Sequence, residues 1–483
     1  MSENPHGWVE STLGDVAIIS DARRIPLNAR ERAMRPGPYP YYGANGQAGT
    51  IDDYLFEGDH ILLAEDGGYF DNPNRPNAYP VTGRFWVNNH AHILRTTERA
   101  SLPFLLYLLN ATDLMPYVSG TTRLKLTQAD MRRIPLLLPP LPEQSRIVAR
   151  VETLFARTRR ARADLERIAP LAARYEPGLL AATMVGALAG DGRRGSGPTA
   201  HESLGTVRLR RVSVSRLGKR RKCSGVPDLA LPTGWAWISP DEIATDEPYS
   251  IGIGPFGSNL TVKDYRHSGV PLIFVRDVRQ GHFGREASRY IAPDHAAALR
   301  AHAIYGGEVL ITKMGDPPGE TAVYPRNAGL AVITADCIKL KPCSELATPE
   351  FVALAIRAPY FARQIDSATR GVAQQKVSLD RFRTLAIAVA PITIQDAIVS
   401  AVSAQLRSSS TIVHEAARTH ALLDRLERSV LARAFRGELV PQDASERNDS
   451  LPSPATFAPS QPGRDHRRTR AHGARAAARL GNP

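Results

Sequence analysis

Cysteine is nearly absent from this chain of 483 residues, which contains only Cys223, Cys337 and Cys343. Their spacing matches neither a zinc-ligand pattern nor a disulfide framework. We therefore expect no metal site and no disulfide, and a reducing cytoplasm as the location of the protein.

Long apolar runs are also missing, because no stretch is long enough to span a bilayer. The first residues, 1–5, contain neither a basic region nor an apolar run, so they do not resemble a signal peptide. Both absences predict a protein without a membrane partner.

Acidic residues are in the minority, and the formal net charge is +13. The excess is local: residues 193–222 hold ten Lys and Arg against Glu202 alone, and the tail 441–483 holds seven Arg against four acids. These segments, with net charges of +9 and +3, are expected to be solvated and to attract polyanions in general. The remainder is almost neutral, so composition alone does not predict that the folded parts bind DNA.

What the sequence does contain is an internal duplication. A constant offset of 251 residues relates Gly120, Lys125, Pro140, Gln144, Ile147, Leu180 and Gly186 to Gly371, Lys376, Pro391, Gln395, Ile398, Leu431 and Gly437. The starts of the two copies, Gly7-Trp8 and Gly234-Trp235, are related by an offset of 227. The second copy has therefore gained 24 residues between its start and its shared end.

Each copy begins with a part that mixes short apolar runs with Gly, Pro and Asn turns. This pattern predicts strands at 60–64, 309–312 and 385–389 and short helices at 102–109 and 349–356. The predicted fold class is α+β, with two mixed α/β domains over 1–142 and 231–393.

A long helix follows in each copy, over 143–190 and 394–440. Its apolar residues recur at alternating spacings of four and three, from Ile147 to Leu179 and from Ile398 to Val430. Such a heptad seam favours packing of two helices along their length. We predict an antiparallel coiled coil that separates the two domains in an internal pseudo-twofold repeat.

Other features qualify this arrangement. Pro170 and Pro177 are predicted to kink the first helix, because proline removes a backbone donor and clashes with the preceding turn. The alternative is that each helix only caps its own domain. Between the copies lies a basic linker, 191–230, and the tail 441–483 is predicted to be disordered.

In order and spacing, these motifs resemble the specificity (S) subunit of a Type I restriction-modification system, from Gly7 to Val440. The resemblance rests on the two Gly-Trp starts, the closing loops 120–127 and 371–378, the Leu-Pro-Pro-Leu-Pro-Glu-Gln run at 138–144, and the helix end at 429–439. The second copy departs from the pattern at 390–395, where the second proline and the glutamate are missing.

The resemblance implies two target recognition domains that read a bipartite, asymmetric site in double-stranded DNA. The helices would act as a spacer and as a platform for methyltransferase (M) subunits, and restriction (R) subunits would complete a nuclease. DNA methylation, S-adenosylmethionine, ATP and Mg would then belong to those partners. This chain itself would have no catalytic residue and no cofactor.

Reading a sequence requires donors and acceptors that reach base edges, whereas Lys, Arg and small polar groups hold the phosphates. Turn-rich polar segments of both domains carry such groups. The candidate DNA-binding residues are Tyr42, Asn45, Gln47, Arg75, Asn89, His90, Thr121, Thr122, Arg123 and Lys125 in the first domain, and Ser258, Asn259, Lys263, Arg266, Arg276, Lys313, Gln374, Gln375 and Lys376 in the second.

His90 and His92 are predicted on one face of a strand, which raises the question of a metal site. No Cys or carboxylate cluster nearby in the sequence completes a ligand set. A structural role for these imidazoles is therefore favoured over metal binding.

Two other functions are compatible with parts of the sequence. A DNA amino-methyltransferase is indicated by Gly252–Gly257, which matches G-x-G-x-x-G, and by Asp316–Pro318. Pro255 and the poorly helical residues 258–262 argue against it, because the cofactor loop should open a helix. A non-DNA coiled-coil scaffold is the other alternative. It predicts that removing 191–226 and 441–483 abolishes polyanion affinity, whereas a specificity subunit should keep selective binding.

Overall fold

The computed structural model describes residues 5–186, 197–214, 220–279, 281–284, 289–315, 317–369, 375–443 and 445. It divides into two compact units. Unit 1 comprises Met1–Arg157 with Asp424–Pro483, and unit 2 comprises Thr158–Leu423. Each unit therefore combines one mixed domain with parts of both long helices. Among the described residues, no helix has the length and apolar character needed to cross a membrane.

Short strands and short helices alternate in the first domain. In chain order the elements are β1 (Val9–Thr12), α1 (Leu13–Val16), β2 (Ala17–Ile19), α2 (Ala29–Ala33), β3 (Tyr39–Gly43), β4 (Gly46–Ile51), β5 (Phe56–Glu57), β6 (His60–Ala64), β7 (Ala78–Val81), β8 (Arg84–Val87), β9 (Ala91–Thr96), α3 (Leu102–Ala111), β10 (Val118–Ser119), β11 (Lys125–Leu126), α4 (Gln128–Arg132), β12 (Pro135–Leu138) and α5 (Leu141–Glu166).

The remaining elements complete the first long helix, form the linker helix and build the second domain, which has a similar order with extra elements. They are α6 (Ile168–Met184), α7 (Ala200–Val214), β13 (Ala236–Ile238), α8 (Pro240–Ile243), β14 (Ile251–Ile253), β15 (Val270–Ile273), β16 (Val278–Arg279), β17 (His282–Phe283), β18 (Tyr290–Ile291), α9 (Pro293–Ala298), β19 (Ala303–Ile304), β20 (Val309–Thr312), β21 (Thr321–Val323), β22 (Ala331–Ile333), β23 (Cys337–Leu340), α10 (Pro349–Arg357), α11 (Pro359–Thr369), α12 (Leu379–Phe382), β24 (Ile387–Val389) and α13 (Ile392–Ala434).

The sheets of the two units have the same topology. An antiparallel sheet has the order β2-β9-β6-β7 in unit 1 and β14-β23-β20-β21 in unit 2. A second sheet has the order β4-β3-β8-β5 or β18-β15-β22-β19, and its central pair is parallel in both units. The pair β1–β12 corresponds to β13–β24. The mixed α+β content is therefore confirmed, and the duplication extends from sequence to strand order.

The predicted short helices form because each buries an apolar face. In α3 the residues Phe104, Leu105, Leu108 and Leu109 are buried, which is the spacing of one helix face. Helix α10 is buried over Phe351–Ile356. The helices expected at 102–109 and 349–356 and the strands expected at 60–64 and 309–312 are therefore confirmed, and the strand expected at 385–389 is limited to Ile387–Val389.

The first long helix is interrupted at Arg167, between α5 and α6. Pro170 explains the interruption, because it has no N–H for the carbonyl of Glu166, four residues earlier. Pro177, in contrast, stays inside α6. The predicted helix 143–190 therefore consists of two helices over Leu141–Met184, and the predicted helix 394–440 is α13, which ends at Ala434.

The two long helices contact one another within each unit. In unit 2 the Tyr175 hydroxyl donates to Gln405 Oε1 at 2.6 Å, and Arg162 NH1 lies 3.4 Å from His420 Nδ1. Residue numbers thus rise on one helix as they fall on the other, so the helices are antiparallel there. In unit 1 the cluster that contains Ile147 and Val151 also contains Val430 and Ala434, so both helices share one core.

A buried glutamine fastens the start of each long helix to its domain. Gln144 accepts from the Ser101 N–H at 2.9 Å and donates to the carbonyls of Arg99 and Pro139, both at 3.0 Å. Gln395 accepts from the Thr348 N–H at 2.8 Å and donates to the carbonyls of Leu346 and Ala390, both at 2.9 Å. Both glutamines are fully buried, so the shared Gln is a structural residue.

The end of each long helix contacts the start of the domain of the other copy. In unit 1 a Cβ added to Gly437 (φ +75°) would lie 2.8 Å from Cβ of Pro5. In unit 2 a Cβ added to Gly186 (φ +82°) would lie 2.8 Å from Cγ of Pro232. Only glycine combines the left-handed backbone with so close an approach. The Gly–Pro junction is therefore repeated in both units.

Because the second copy lacks the glutamate, its tryptophan indole N–H has no hydrogen-bond partner among the described residues. In the first copy the indole Nε1 of buried Trp8 donates to Glu143 Oε1 at 3.1 Å. The equivalent of Glu143 in the second copy is Ile394, and Nε1 of Trp235 is buried without a hydrogen-bond partner among the described residues. The equivalent indole N–H groups therefore differ: that of Trp8 makes a hydrogen bond, and that of Trp235 makes none within the part of the chain that the structure describes.

Glu143→Ile should therefore destabilise unit 1 by about 1–3 kcal/mol, because it leaves the Trp8 indole N–H unsatisfied. Glu143→Gln keeps an acceptor and should cost less. Chemical denaturation of the full chain, followed by tryptophan fluorescence, measures both changes. Equal stability of the Ile and Gln variants would contradict this role for the hydrogen bond.

The basic linker is not the solvated segment that its composition predicts. Helix α7 buries Ala200, Leu204 and Val207 in the core of unit 2. Five of the basic residues make ion pairs with acidic residues of the second domain: Arg208 with Glu242, Arg210 with Glu345, Arg211 with Asp246, Arg220 with Asp241, and Arg221 with Asp380. The prediction of a separate solvated linker over 191–230 is wrong for its described residues, because an apolar helix face and matched charges hold it to the domain.

Candidate nucleic-acid interface

A cluster in the first domain brings together predicted residues from distant parts of the sequence. The segment 65–67, which follows β6, lies at its centre. The Asn45 side chain donates to the Gly67 carbonyl at 2.9 Å, and Arg123 pairs with Asp66 at 2.9 Å. Nδ1 of His90 also contacts the Asp66 carboxylate. Asp66 and Gly67 were not among the predicted site residues, because no motif marks them and only the strand pairing places them there.

Lys125 belongs to the same cluster. Its Nζ lies 3.1 Å from Glu65 Oε1, and the backbone N–H of Leu126 donates to the Glu65 carbonyl at 2.7 Å. Arg24 pairs with the other carboxylate oxygen of Glu65 at 2.6 Å. Glu65 and Asp66 therefore offset the charges of Lys125 and Arg123 at the surface.

Below this surface lies a buried network around His92. Its Nδ1 is 2.6 Å from Asp21 Oδ2 and its Nε2 is 2.9 Å from the Leu126 carbonyl. Burial alone would raise the pKa of Asp21, but the hydrogen bond and charge of His92 and the Ile93 N–H lower it below its ordinary value. The network connects β9 to the segment that carries Lys125.

Potential ligand atoms of Asp21, Glu65 and His92 lie within 4.8 Å of one another, the spacing of a metal site. No carboxylate cluster lies near His92 in the sequence, but folding brings Asp21 and Glu65 to it from distant positions. His90 precedes β9 rather than lying on the same strand face. Both nitrogens of His92 have protein partners, and Arg24 pairs with Glu65, so these groups fit a structural network better than a metal site.

The remaining candidates of the first domain lie in other surroundings. Tyr42 is half-buried and packs against the rings of Tyr79 and Phe85, so its ring is part of the core. Gln47 donates to the Gly49 carbonyl, and the guanidinium of Arg75 covers the Tyr69 ring at 4.4 Å. Exposed side chains next to His90 and Arg123 are those of Asn89, Thr121 and Thr122.

In the second domain the segment after β20 corresponds to residues 65–67. An antiparallel bridge joins Met314 to Lys376, as another joins Asp66 to Lys125. The Val377 N–H donates to the Lys313 carbonyl at 3.0 Å. Lys313 thus occupies the place of Glu65, and Met314 that of Asp66. At the first of these positions the two domains carry opposite charge, and at the second the charge of Asp66 is absent from Met314.

Lys313 is buried, which the sequence did not predict. Its Nζ lies 4.5 Å from the ring centre of Phe256, whose side chain is exposed. Burial, and then the neighbouring charge of Lys376, lower the pKa of Lys313. Of the two lysines predicted together, Lys376 is the one exposed to solvent.

Other candidates of the second domain are exposed but dispersed. Ser258 and Asn259 lie in a short 3-10 turn, and Lys263 and Arg266 follow, with Arg266 donating to the Lys263 carbonyl at 2.8 Å. Arg276 stacks on Phe274 at 4.6 Å. Gln375 is exposed, and Gln374 lies outside the described residues.

The glycine motif of the methyltransferase alternative does not form a cofactor loop. Gly252 lies in β14, and a Cβ on Gly254 would be 2.1 Å from the backbone of Thr334, so this glycine permits close packing of strands. The motif leads into a 3-10 turn at Gly257–Asn259, not an α-helix. Asp316 of the second motif lies outside the described residues.

Comparisons with known proteins agree with the motifs. Residues 5–168 match the family model of the Type I restriction modification DNA specificity domain. A putative type I restriction enzyme specificity subunit of Haemophilus influenzae is 35% identical over 146 residues, which cover 30% of this chain and 37% of that relative. The EcoDI specificity subunit of Escherichia coli is 21% identical over 461 residues, or 92% of each chain.

Solved structures share the fold over most of the chain. The HsdS subunit from Thermoanaerobacter tengcongensis superposes with a TM-score of 0.52 at 19% identity, covering 90% of this chain and 98% of that one. A chain from a structure of an assembled type I R-M system gives a TM-score of 0.57 at 19% identity, covering 91% and 100%. The resemblance predicted from the repeated motifs is confirmed.

Proposed function

We propose that this chain recognises a bipartite, asymmetric DNA site, because its family model, its curated relatives and its fold are similar to those of Type I restriction-modification specificity subunits. Each mixed domain, 1–142 and 231–393, would act as a target recognition domain for one half. Recruitment of methyltransferase and restriction subunits would couple that recognition to modification and cleavage.

One observation carries this proposal: the two copies have the same fold but differ in the charge of the side chains at an equivalent surface segment. Sheet order, the buried glutamine and the Gly–Pro junction are the same in both copies. At the equivalent segment one copy carries Glu65 and Asp66 beside exposed Arg123 and Lys125, and the other carries buried Lys313 and half-buried Met314 beside exposed Lys376. Two reading surfaces of different chemistry favour a site with two different halves.

The long helices would set the distance between those halves. Helix α13 has 43 residues, which corresponds to about 65 Å at 1.5 Å per residue. DNA repeats every ~34 Å, so domains held apart by an antiparallel coiled coil of this length could read segments one to two turns apart. The antiparallel contacts in unit 2 and the core that both helices share in unit 1 support such a spacer.

Catalysis is assigned to the partners in this proposal. S-adenosylmethionine would bind the methyltransferase subunits that dock on the helices, and ATP and Mg would serve the restriction subunits. This chain would be non-catalytic and would act in the cytoplasm, where it meets chromosomal DNA. The alternatives of an amino-methyltransferase and a DNA-free scaffold receive no specific support from the site.

Co-expression of the chain with methyltransferase subunits, followed by genome-wide mapping of methylated bases, tests the function. We expect one bipartite motif. Replacing residues 1–142 with the same domain of another specificity subunit should change one half only, provided that the graft keeps an aromatic residue at Phe104, which packs on Phe435 at 5.5 Å. A change in both halves would contradict the modular proposal.

The scaffold alternative needs a narrower deletion than the sequence suggested. Removing 191–226 would also remove the core helix α7, so loss of binding after that deletion would not distinguish the hypotheses. Deleting residues 446–483 alone avoids this problem. Selective binding in the presence of methyltransferase partners should survive it, whereas a scaffold with a basic tail would lose most of its polyanion affinity.

A further inference from the structure

We propose that Arg123 reads a guanine in the first half-site and that Asp66 is its positioning residue. This inference rests on the proposed function and deepens it, because it names the base and the residue pair. It rests on one ion pair: the exposed guanidinium of Arg123 contacts the carboxylate of Asp66, and the backbone of Asp66 is held by strand pairing.

The carboxylate is fixed because the backbone on both sides of it is paired. The Glu65 N–H donates to the His90 carbonyl at 2.8 Å, and the Gly67 N–H donates to the Leu124 carbonyl at 3.3 Å. Asp66 itself bridges to Lys125. The Asp66 side chain is 15% exposed, whereas that of Arg123 is 61% exposed. A nearly buried acid thus orients a group that projects into solvent.

That orientation matters for a base edge more than for a phosphate. Arginine has five donors in a rigid fork, and the bond to Asp66 uses only part of it. The remaining N–H groups can face two acceptors in one plane, and guanine O6 and N7 are such a pair in the major groove. Arg–guanine pairing is the commonest specific contact of this kind.

The charge of the cluster also disfavours a phosphate. Glu65 and Asp66 lie beside Lys125 and Arg123 and offset their charge. A phosphate contact gains most from uncompensated positive charge, whereas a base edge carries no net charge and is repelled less by a neighbouring carboxylate. Asp66 would also penalise a phosphate placed within reach of Arg123. The position thus favours base reading.

Among its described residues the second domain has no equivalent of the Arg123–Asp66 pair. Met314 replaces Asp66, and Lys313 replaces Glu65. Gln374, which the 251-residue offset relates to Arg123, lies outside the described residues. Changes to Arg123 or Asp66 should therefore alter only the half-site of the first domain.

The test uses the full chain assembled with its methyltransferase partners and duplexes that carry the mapped site. Each guanine of the first half is replaced in turn by 7-deazaguanine, which lacks the N7 acceptor. The wild-type complex should bind one such duplex more weakly, by part of the about 5- to 150-fold that a complete bidentate pair contributes. Arg123→Ala loses the contacts to both O6 and N7, so it should be at least as weak on normal DNA and insensitive to 7-deazaguanine at that position.

Three further variants separate positioning, charge and folding. Asp66→Asn should reduce discrimination at the same guanine, and Asp66→Glu should restore part of it. Lys125→Ala removes a neighbouring cation whose charge Glu65 already offsets, so it should change the binding of all duplexes alike and by less than Arg123→Ala. Base discrimination in the second half-site should be unchanged in every variant. This result would show that each variant is folded.

The inference is overturned if Arg123→Ala lowers binding uniformly, keeps the 7-deazaguanine response and reduces the salt dependence by about one phosphate contact. It is also overturned if no guanine of the first half responds in the wild type. A wild-type complex without any bipartite preference would instead defeat the proposed function, before the variants are compared.

Discussion

Val207→Asp should unfold or severely destabilise unit 2, at a cost of about 4 kcal/mol or more. Val207 is fully buried on α7 and belongs to the same core cluster as Trp235, Ile238 and Phe351. An aspartate there loses the apolar contacts and buries a carboxylate without a partner. The effect is large because α7 contributes apolar side chains to the core of unit 2, although its segment has the basic composition of a linker.

Val212 offers a matched control on the same helix, since its side chain is 89% exposed. Val212→Asp should change stability by less than about 0.5 kcal/mol. Hydrogen exchange of the full chain measures both variants, with peptides from β13 and β24 reporting on unit 2 and peptides from β1 and β12 on unit 1. Equal protection of unit 2 in the two variants would falsify the placement of α7 in the core.

Gln395→Leu is the second substitution with a large expected effect. The side chain makes three hydrogen bonds, to the Thr348 N–H and to the carbonyls of Leu346 and Ala390. Leucine has a comparable size but leaves one donor and two acceptors buried and unpaired. At about 1–3 kcal/mol for each unsatisfied group, with partial relaxation, a loss of roughly 3–5 kcal/mol is expected.

The duplication supplies a second copy of this experiment. Gln144→Leu should destabilise unit 1 by a similar amount, and each variant should increase hydrogen exchange mainly in its own unit. Gln405→Leu on α13 is the control, because its single bond to Tyr175 is at the surface and should contribute about 1 kcal/mol or less. A uniform loss of protection across both units in either variant would contradict a local role for the glutamine.

Much of the fold was predictable because the duplication constrains it. The 251-residue offset predicted that Gln144 and Gln395 are equivalent, and the structure gives them the same three kinds of partner. The helices at 102 and 349 follow from their apolar faces. Helix α7 was not predicted, because it lies in a segment of strongly basic composition and the acidic partners of its arginines lie in a separate part of the chain, at Glu242 and Asp246.

The candidate interface was predictable in composition but not in arrangement. Asn45, His90, Arg123 and Lys125 were chosen for their chemistry, and the structure brings them around residues 65–67. Asp66 was missed because a lone acidic residue after a strand has no distinctive pattern. Tyr42 and Lys313 were chosen for polar character, but strand register and burial place them in or near the core.

The two Gly–Pro junctions have a consequence for how such a gene can change. Each helix end contacts the domain start of the other copy through a glycine and a proline. Recombination in the part of the gene that encodes a shared helix end could therefore replace one domain and leave the glycine that contacts it unchanged. The new domain then meets the same docking residue, provided that it also keeps contacts such as that of Phe104 with Phe435. Recognition of a different DNA site can therefore arise in one genetic step, while the assembled framework stays as it was.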